Sequence, residues 1–269
     1  IPSIVDISGL NRISRQVIVQ AAAAIAAMVQ AAVPESEGKP LIAATMFGNT
    51  TKCIESARSH LEDAGFEVLV FHATGAGGRT MEDLIESGFI TAVLDVTTTE
   101  LADELAGGVM SAGPQRLEAA ARAGIPAVVA PGCLDMVNFW APESVPEKYR
   151  ERRFYQHNPN VTLMRTTPEE NRELGLSLVE KLNASNGPVA VYLPLRGVSV
   201  ISAPGQPFHW PEADEALFES IKENLRPEIP VHEIDANIND PAFSEAVSAG
   251  LLELVRRGEN GSGLSQKSA

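Results

Sequence analysis

The chain has 269 residues, with 21 Lys and Arg against 35 Asp and Glu, so its formal net charge is −14. This acidic balance argues against a nucleic-acid partner, because neutralising phosphates requires a basic surface. Two cysteines without a Cys-x-x-Cys pair exclude a disulfide framework and favour a cytoplasmic protein. The longest apolar stretch, 17–33, is mostly alanine and is interrupted by glutamines, so we expect no membrane segment and no membrane partner.

Short apolar runs alternate with helical patterns along most of the chain. The first helix is expected at 13–33, capped by Asn11 and followed by a loop at 34–40. Strands are predicted at 41–46, 66–72, 89–96, 125–130, 161–164, 188–193, 197–202 and 231–234. The remaining helices are predicted at 51–64, 80–87, 100–105, 115–123, 168–182, 214–224 and 241–256.

The order strand, turn, helix predicts βαβ units and a parallel sheet, and the continuously apolar strands indicate helices on both faces. We therefore predict an α/β, Rossmann-like, doubly wound and mostly parallel sheet of about six strands. This domain is expected at 39–257, after a linker and Ala-rich packing helix at 1–38 and before a disordered tail at 258–269. An irregular excursion of loops and a short helix is expected inside it, at about 131–160.

In such folds ligands bind outside the carboxyl ends of the strands. The turn at 48–51 is interpreted either as a phosphate cradle at a helix start or as an ordinary capped loop. The glycine-rich turn at 74–80 favours anion binding and simple flexibility equally. Neither turn has a complete Walker or dinucleotide-binding motif. The candidate ligand-binding residues are Gly48, Asn49, Thr50, Thr51, Thr74, Gly75, Gly77, Gly78, Arg79, Thr97, Thr98 and Gly132.

Three carboxylates at strand ends are the candidate catalytic residues: Asp95, Glu100 and Asp135. They are suited to positioning a substrate or magnesium, although Asp95 is equally suited to capping a helix. Cys133 has no histidine close in sequence and is expected to be a buried structural residue. His157 and His209 are weaker acid–base candidates, and no residues have zinc-ligand spacing, so we assign no metal site.

Five motifs occur in a characteristic order along the chain. They lie at 9–15, 46–51, 71–78, 94–100 and 131–139, and the last three read FHATGAGG, LDVTTTE and PGCLDMVNF. Together they resemble the family of uncharacterised proteins similar to the ATP-binding region of the tomato mosaic virus resistance protein. The resemblance covers about residues 1–255.

This resemblance implies two Rossmann-like halves, of which the chain, beginning at Ile1, is expected to be the C-terminal half alone. It implies ATP with magnesium, held mainly by the N-terminal half, and a small-molecule ligand. The first functional hypothesis is a ligand-binding half of an ATP-dependent enzyme that acts on a small organic acid. The alternative is a non-catalytic dimerisation or interaction domain that partners the N-terminal half of the same polypeptide or forms a homo-oligomer.

Overall fold

The computed structural model describes residues 1–6, 9–32 and 38–262, without the side chains of 259–262. The chain divides into two compact units, Ile1–Gly38 and Lys39–Ala269. The prediction of a disordered tail at 258–269 is wrong at its beginning, because residues 258–262 continue the last helix. The rest of the predicted tail, 263–269, lies outside the described residues. Most of the loop expected at 34–40 lies outside them as well.

Among its described residues the first unit contains one helix, α1 (Arg12–Gln30). The predicted cap is confirmed, because Asn11 Oδ1 accepts from Ser14 N at 2.9 Å and Ser14 Oγ accepts from Asn11 N at 2.9 Å.

Apolar side chains of α1, such as Ile18 and Met28, are exposed. By length and composition alone the helix could cross a bilayer, with a mean hydropathy of 1.3, so, contrary to the expectation from the sequence, these two properties do not exclude a membrane segment. Core helices and signal sequences satisfy the same criterion.

Nine strands lie in the second unit, among the residues that the structure describes. They are β1 (Leu41–Met46), β2 (Glu67–His72), β3 (Ala92–Thr97), β4 (Ala127–Gly132), β5 (Met136–Phe139), β6 (Phe154–Asn158), β7 (Val161–Arg165), β8 (Val189–Pro194) and β9 (Val231–Ile234). Six of them form a sheet in the order β2-β1-β3-β4-β8-β9, in which every pair is parallel. The predicted α/β fold with a six-stranded parallel sheet is confirmed.

Helices cover both faces of this sheet. They are α2 (Thr51–Asp63), α3 (Ala76–Glu86), α4 (Glu100–Ala106), α5 (Ala119–Ala123), α6 (Pro168–Asn183), α7 (Pro211–Asn224) and α8 (Pro241–Ser262). The apolar residues of α2 and α8 pack in one core with Leu94 of β3. Those of α3 to α7 pack in a second core with Val93, the preceding residue of the same strand. Since neighbouring strand residues point to opposite faces, the two cores lie on opposite sides of the sheet.

Several predicted elements differ from those observed. Helix α3 begins at Ala76, so most of the expected glycine-rich turn at 74–80 is helical. Helix α5 is shorter than expected because the Glu82 carboxylate accepts the amides of Leu117, Glu118 and Ala119 and holds that segment as a turn. The short strand expected at 197–202 is a turn instead.

The excursion at 131–160 is the largest difference. It forms, with β7, a three-stranded antiparallel sheet in the order β5-β7-β6, whereas we expected loops and a short helix. On one face Phe139 and Met164 join the core of α3 to α7. On the other face Met136 and Leu163 pack with Phe47, which directly follows β1. The small sheet therefore lies beside the carboxyl ends of the large one.

The chain leaves β1 and β3 toward opposite faces, through α2 and α4. Adjacent strands whose helices diverge in this way form a topological switch point, and ligands of open α/β sheets bind in the crevice there. The loop that follows β1, at 47–50, and the threonines at the end of β3 and just after it, at 97–99, meet at this point. It is the place where we look for a site.

Candidate functional site

A buried ion cluster lies beneath the switch point. The guanidinium of Arg116 binds both oxygens of Asp95, at 2.6 and 2.7 Å, and its Nε donates to Glu100 Oε2 at 2.6 Å. Glu82 is a third carboxylate, 3.3 Å from Arg116 Nη1. Burial raises the pKa of Glu82, whereas Asp95 and the other carboxylates raise the pKa of Arg116 further above its usual value despite burial. Asp95 and Glu100, two of the three candidate catalytic residues, are therefore bound to an arginine of the same chain.

The glycine-rich turn at 74–80 does bind an anion, but the anion is the protein's own Glu100. Its Oε1 accepts from the amides of Gly75 at 2.6 Å and Gly78 at 3.1 Å. A Cβ on Gly78 would lie 2.6 Å from that oxygen, and one on Gly77 would overlap the backbone of His72. These glycines thus permit close internal packing. The amides predicted to bind a ligand at Gly75 and Gly78 are occupied.

The other two candidate residues of this turn, Thr74 and Arg79, are also engaged. Thr74 Oγ1 donates to the carbonyl of His72 at 3.3 Å, and Arg79 Nη1 donates to the carbonyl of Ser111 at 2.9 Å. Both bonds fix the turn against neighbouring backbone. The Arg79 side chain is exposed, and it does not reach the crevice residues through any contact in the described part of the chain.

A chain of threonine hydroxyls connects the ion cluster to the crevice. Thr45 Oγ1 donates to Asp95 Oδ1 at 2.8 Å and accepts from the Thr97 amide at 3.0 Å. Thr97 Oγ1 lies 2.8 Å from Thr50 Oγ1, and Thr98 Oγ1 donates to the carbonyl of Ala130 at 3.1 Å. All four threonines are buried. The structure brings the predicted residues Thr50, Thr97 and Asp95 together, but Thr50 and Thr97 bond to each other, and Asp95 bonds to Thr45 and Arg116.

The first turn of α2, in contrast, is open. Thr50 is in the N-cap position, yet its hydroxyl bonds to Phe47 and Thr97 and caps nothing. Of the first three amides of the helix, only that of Cys53 has an acceptor within the described residues, Asn239 Oδ1 at 3.4 Å. Within the described residues the amides of Thr51 and Lys52 have no hydrogen-bond acceptor. This helix start lies at the switch point, where it is available to a ligand.

Space is available in front of this helix start. Gly48 is exposed, and a Cβ built there would have no atom within 4 Å. Next to it lies a cavity of about 70 Å³, lined by Phe47, Gly48, Asn49, His157, Val161 and Leu163. Asn49 is held in place by Asn239, whose Nδ2 donates to the Asn49 carbonyl at 2.8 Å. The structure thus places His157, a weaker sequence candidate, opposite the Gly48 loop.

Asp135, the third catalytic candidate, lies apart from the ion cluster. It is fully buried, its Oδ2 accepts from Ser199 Oγ at 2.7 Å, and its Oδ1 has no hydrogen-bond partner. Burial raises its pKa to about 6, although Arg165 acts in the opposite direction. Neighbouring Gly132 has no room for a ligand, since a Cβ there would overlap the carbonyl oxygen of Val96 and lie 2.8 Å from Ile238.

The remaining sequence candidates are distributed elsewhere. Cys133 is buried, and burial raises the pKa of its thiol well above the usual value, which agrees with a structural residue. His209 lines a different cavity, of about 360 Å³, and its Nδ1 lies 3.2 Å from the carbonyl oxygen of Ser202. Among the described residues no three His, Cys, Asp or Glu side chains are grouped to hold a metal ion. Magnesium would therefore have to be held largely by a ligand's phosphates and water.

Sequence reasoning missed the residue on which this arrangement depends, Arg116. It lies in a segment predicted to be an ordinary helix, 21 residues after Asp95. It also missed Asp103, which accepts from the amide and side chain of Asn138 at 2.7 and 2.6 Å, and whose pKa burial raises to about 7. No pattern of neighbouring residues predicts that Arg116 pairs with Asp95 or that Asp103 pairs with Asn138, because each pair joins elements that meet only in the folded chain.

The raised pKa values of Asp135 and Asp103 predict that the protein loses stability between pH 4 and pH 8. In this window the unfolded chain has released both protons, while the folded chain still retains them up to pH values of about 6 and 7. The favourable contribution is complete below pH 4 and disappears as the pH rises through the folded values. Substituting Asp135→Asn should reduce the difference in unfolding free energy between pH 5 and pH 8 by about 1.4 kcal/mol, measured by urea denaturation.

Asp63→Asn, at an exposed position on α2, is the matched control and should leave the pH dependence unchanged. An Asp135→Asn protein that retained the native pH dependence would show that Asp135 is ionised throughout this range in the folded state.

Comparison with known proteins identifies the family. The C-terminal domain model of the uncharacterised protein family UPF0261 matches residues 39–255, and its N-terminal domain model matches residues 1–34. The expectation that the chain is the C-terminal half alone is therefore not supported, because its first segment matches the N-terminal domain. The part expected to be a linker and packing helix contains that match.

Curated relatives agree with these matches. The chain is 53% identical over 257 residues to a UPF0261 protein of Clostridium tetani and 48% identical over 257 residues to one of Mesorhizobium japonicum. Each alignment covers 95% of this chain but only 64% of the relative. It is also 42% identical over 263 residues to the ToMV resistance protein Tm-1(GCR237) of Solanum lycopersicum, covering 94% of this chain and 35% of that protein. The chain belongs to the UPF0261 family, whose members are described as uncharacterised.

Proposed function

We propose that residues 39–255 form a small-molecule-binding domain whose ligand carries a phosphate group, bound at the start of α2 by the Gly48–Lys52 segment. ATP with magnesium is the ligand to test first, following the family resemblance of the sequence motifs. Asp95 and Glu100 are not part of this proposal as catalytic groups, because Arg116 occupies their oxygens. Their role is structural, since their ion pairs with Arg116 stabilise the fold beside the crevice.

The open first turn of α2 is the observation that carries the proposal. Helices α1 and α6 begin with complete capping boxes, and the amides before and within the first turn of α3 bond to Glu100. The amides of Thr51 and Lys52 are without acceptors among the described residues, and they face the switch point of the sheet. Free amides at a helix start, together with the helix dipole, favour an anion, and Lys52 adds a positive charge beside them.

Thr51→Asp is the substitution that separates ligand binding from folding. A carboxylate in the first turn of α2 should leave the melting temperature unchanged or raise it, because it interacts favourably with the helix dipole. The same charge should repel a phosphate and weaken Mg-ATP binding by about tenfold or more, since charge-assisted hydrogen bonds are lost. Calorimetric titration of the whole 269-residue chain measures the affinity.

Ser59→Asp is the matched control, because it adds the same charge at an exposed position near the other end of α2. It should leave binding within about twofold, since charges a Debye length apart are largely screened. Titration with inorganic pyrophosphate tests the phosphate contact without the nucleoside. The proposal is wrong if neither Mg-ATP nor pyrophosphate binds at millimolar concentration, or if Thr51→Asp binds as tightly as the native chain.

A further inference from the structure

A second concave site lies on the opposite side of the three-stranded sheet from the Gly48 loop. It is a cleft of about 580 Å³ between the segment 142–150 and the strands β6 and β7. Its volume is typical of sites that take small organic molecules. The cleft is lined by Pro142, Glu143, Val145, Glu147, Arg150, Phe154, Gln156 and Thr162.

The strand register explains why these residues share the cleft. Thr162 of β7 is directly opposite Gln156 of β6, and Met164 is opposite Phe154. Directly opposite residues of antiparallel strands point to the same face, so Phe154, Gln156 and Thr162 form one continuous surface. The neighbouring residue Leu163 points to the other face, where it lines the small cavity beside Gly48. The two cavities are therefore separated by the sheet itself.

The base of the cleft contains an unsatisfied polar group. Thr162 is only 4% exposed, and its Oγ1 is buried without a hydrogen-bond partner. Its backbone amide is engaged, since it donates to the carbonyl of Trp140 at 3.0 Å. A buried hydroxyl without a partner is costly, and in native proteins nearly every such group has a hydrogen-bond partner, so a bound group that supplied one here would be stabilised. A hydroxyl both donates and accepts, so it suits an amine or a hydroxyl group of a ligand.

The walls of the cleft restrict the ligand further. Val145 and Phe154 are partly buried and pack against the core, so they offer a firm apolar surface. At the rim Glu147 forms an ion pair with Arg150, whereas Glu143 forms no ion pair within the described residues. The balance of charge in the cleft is thus negative, as it is over the whole chain. A cation is the complementary charge.

We propose that this cleft binds a small apolar amine, with its hydrocarbon or aromatic body between Val145 and Phe154. The ammonium group donates to Thr162 Oγ1 and to the carboxylate of Glu143. This site is independent of the phosphate site proposed at α2, because different residues on the opposite face of the sheet form it.

The experiment uses 2-phenylethylamine as the probe and 3-phenylpropionate as a probe of similar size and opposite charge. Binding to the whole chain is followed by methyl NMR, in which Val145 and Thr162 report on the cleft and Thr51 reports on the other site. The amine is expected to shift the signals of Val145 and Thr162 at low millimolar concentration, and the acid is expected to bind at least about tenfold more weakly.

Two substitutions test the contacts. Thr162→Val retains the shape and removes the unsatisfied hydroxyl, so it should fold at least as stably as the native chain and bind the amine about tenfold more weakly. Glu143→Gln should weaken binding of the amine and reduce its preference over the acid. Glu228→Gln, an exposed carboxylate elsewhere, is the control and should change neither.

The inference is overturned if the amine does not shift the cleft signals at 10 mM, roughly the weak limit for a ligand of this size. It is also overturned if the amine and the acid bind equally, or if both Thr162→Val and Glu143→Gln bind like the native chain. Loss of Mg-ATP binding in Thr51→Asp with an intact response to the amine would show that the two sites are separate.

Discussion

Replacing Arg116 with methionine is expected to lower the free energy of unfolding by about 4 kcal/mol, among the largest effects of any single substitution in this chain. The substitution leaves the carboxylates of Asp95 and Glu100 buried without their counter-ion. Methionine fills a similar volume, so the loss reports on charge more than on packing. Urea denaturation at pH 7 measures the change.

Arg122→Met is the matched control. Arg122 is about half exposed and bonds to Glu86 and Glu118 at the surface, where an ion pair contributes about 1 kcal/mol or less. Adding Asp95→Asn and Glu100→Gln to Arg116→Met should recover much of the stability, because the buried charges are then removed together. Equal losses for Arg116→Met and Arg122→Met would contradict the view that the cluster is electrostatically coupled and buried.

Gly77→Ala is expected to destabilise the protein by about 2–3 kcal/mol, because a Cβ at this position overlaps the carbonyl group of His72 and lies 2.8 Å from its carbonyl carbon. The obstacle is backbone, so α3 would have to move away from the end of β2. Alanine favours helix by about 1 kcal/mol over glycine, and the expected loss remains after that gain. Thermal and urea unfolding measure the difference.

Gly48→Ala is the control for this prediction. Nothing lies within 4 Å of a Cβ at Gly48, and its backbone is not left-handed, so the free energy of unfolding should change by less than about 0.5 kcal/mol. A stable Gly77→Ala protein that lost only ligand binding would restore the interpretation of this turn as a phosphate cradle. Comparing Gly77→Ala with Gly48→Ala therefore shows which candidate ligand-binding glycine is required for packing.

Hydrophobic patterning determined the architecture. Apolar runs of strand length alternate with helical segments, and buried strands with helices on both faces leave little choice but a parallel sheet. A local signal also located the start of the first helix, because a capping box needs only residues three apart, as in Asn11 with Ser14. The position of a crevice at the carboxyl ends of the strands followed from that topology alone.

Short polar strands were not predictable in the same way. Strands β5 and β6 have only four and five residues, and β6 contains Gln156, His157 and Asn158. Their pairing depends on partners across the small sheet and on the core that Phe139 and Met164 join. Propensity in isolation therefore indicated loops, and tertiary contact overrode it.

The roles of the polar residues were decided by the tertiary structure. The sequence by itself identified Gly75 and Gly78 as candidate ligand-binding residues and Asp95 and Glu100 as candidate catalytic residues. The fold does bring these four residues together. It could not show that Arg116 neutralises both carboxylates or that Glu100 occupies the glycine amides, because these contacts join segments 16 to 25 residues apart. Pairing of buried charges depends on distances that only packing sets, and packing also leaves the amides of Thr51 and Lys52 without an acceptor among the described residues.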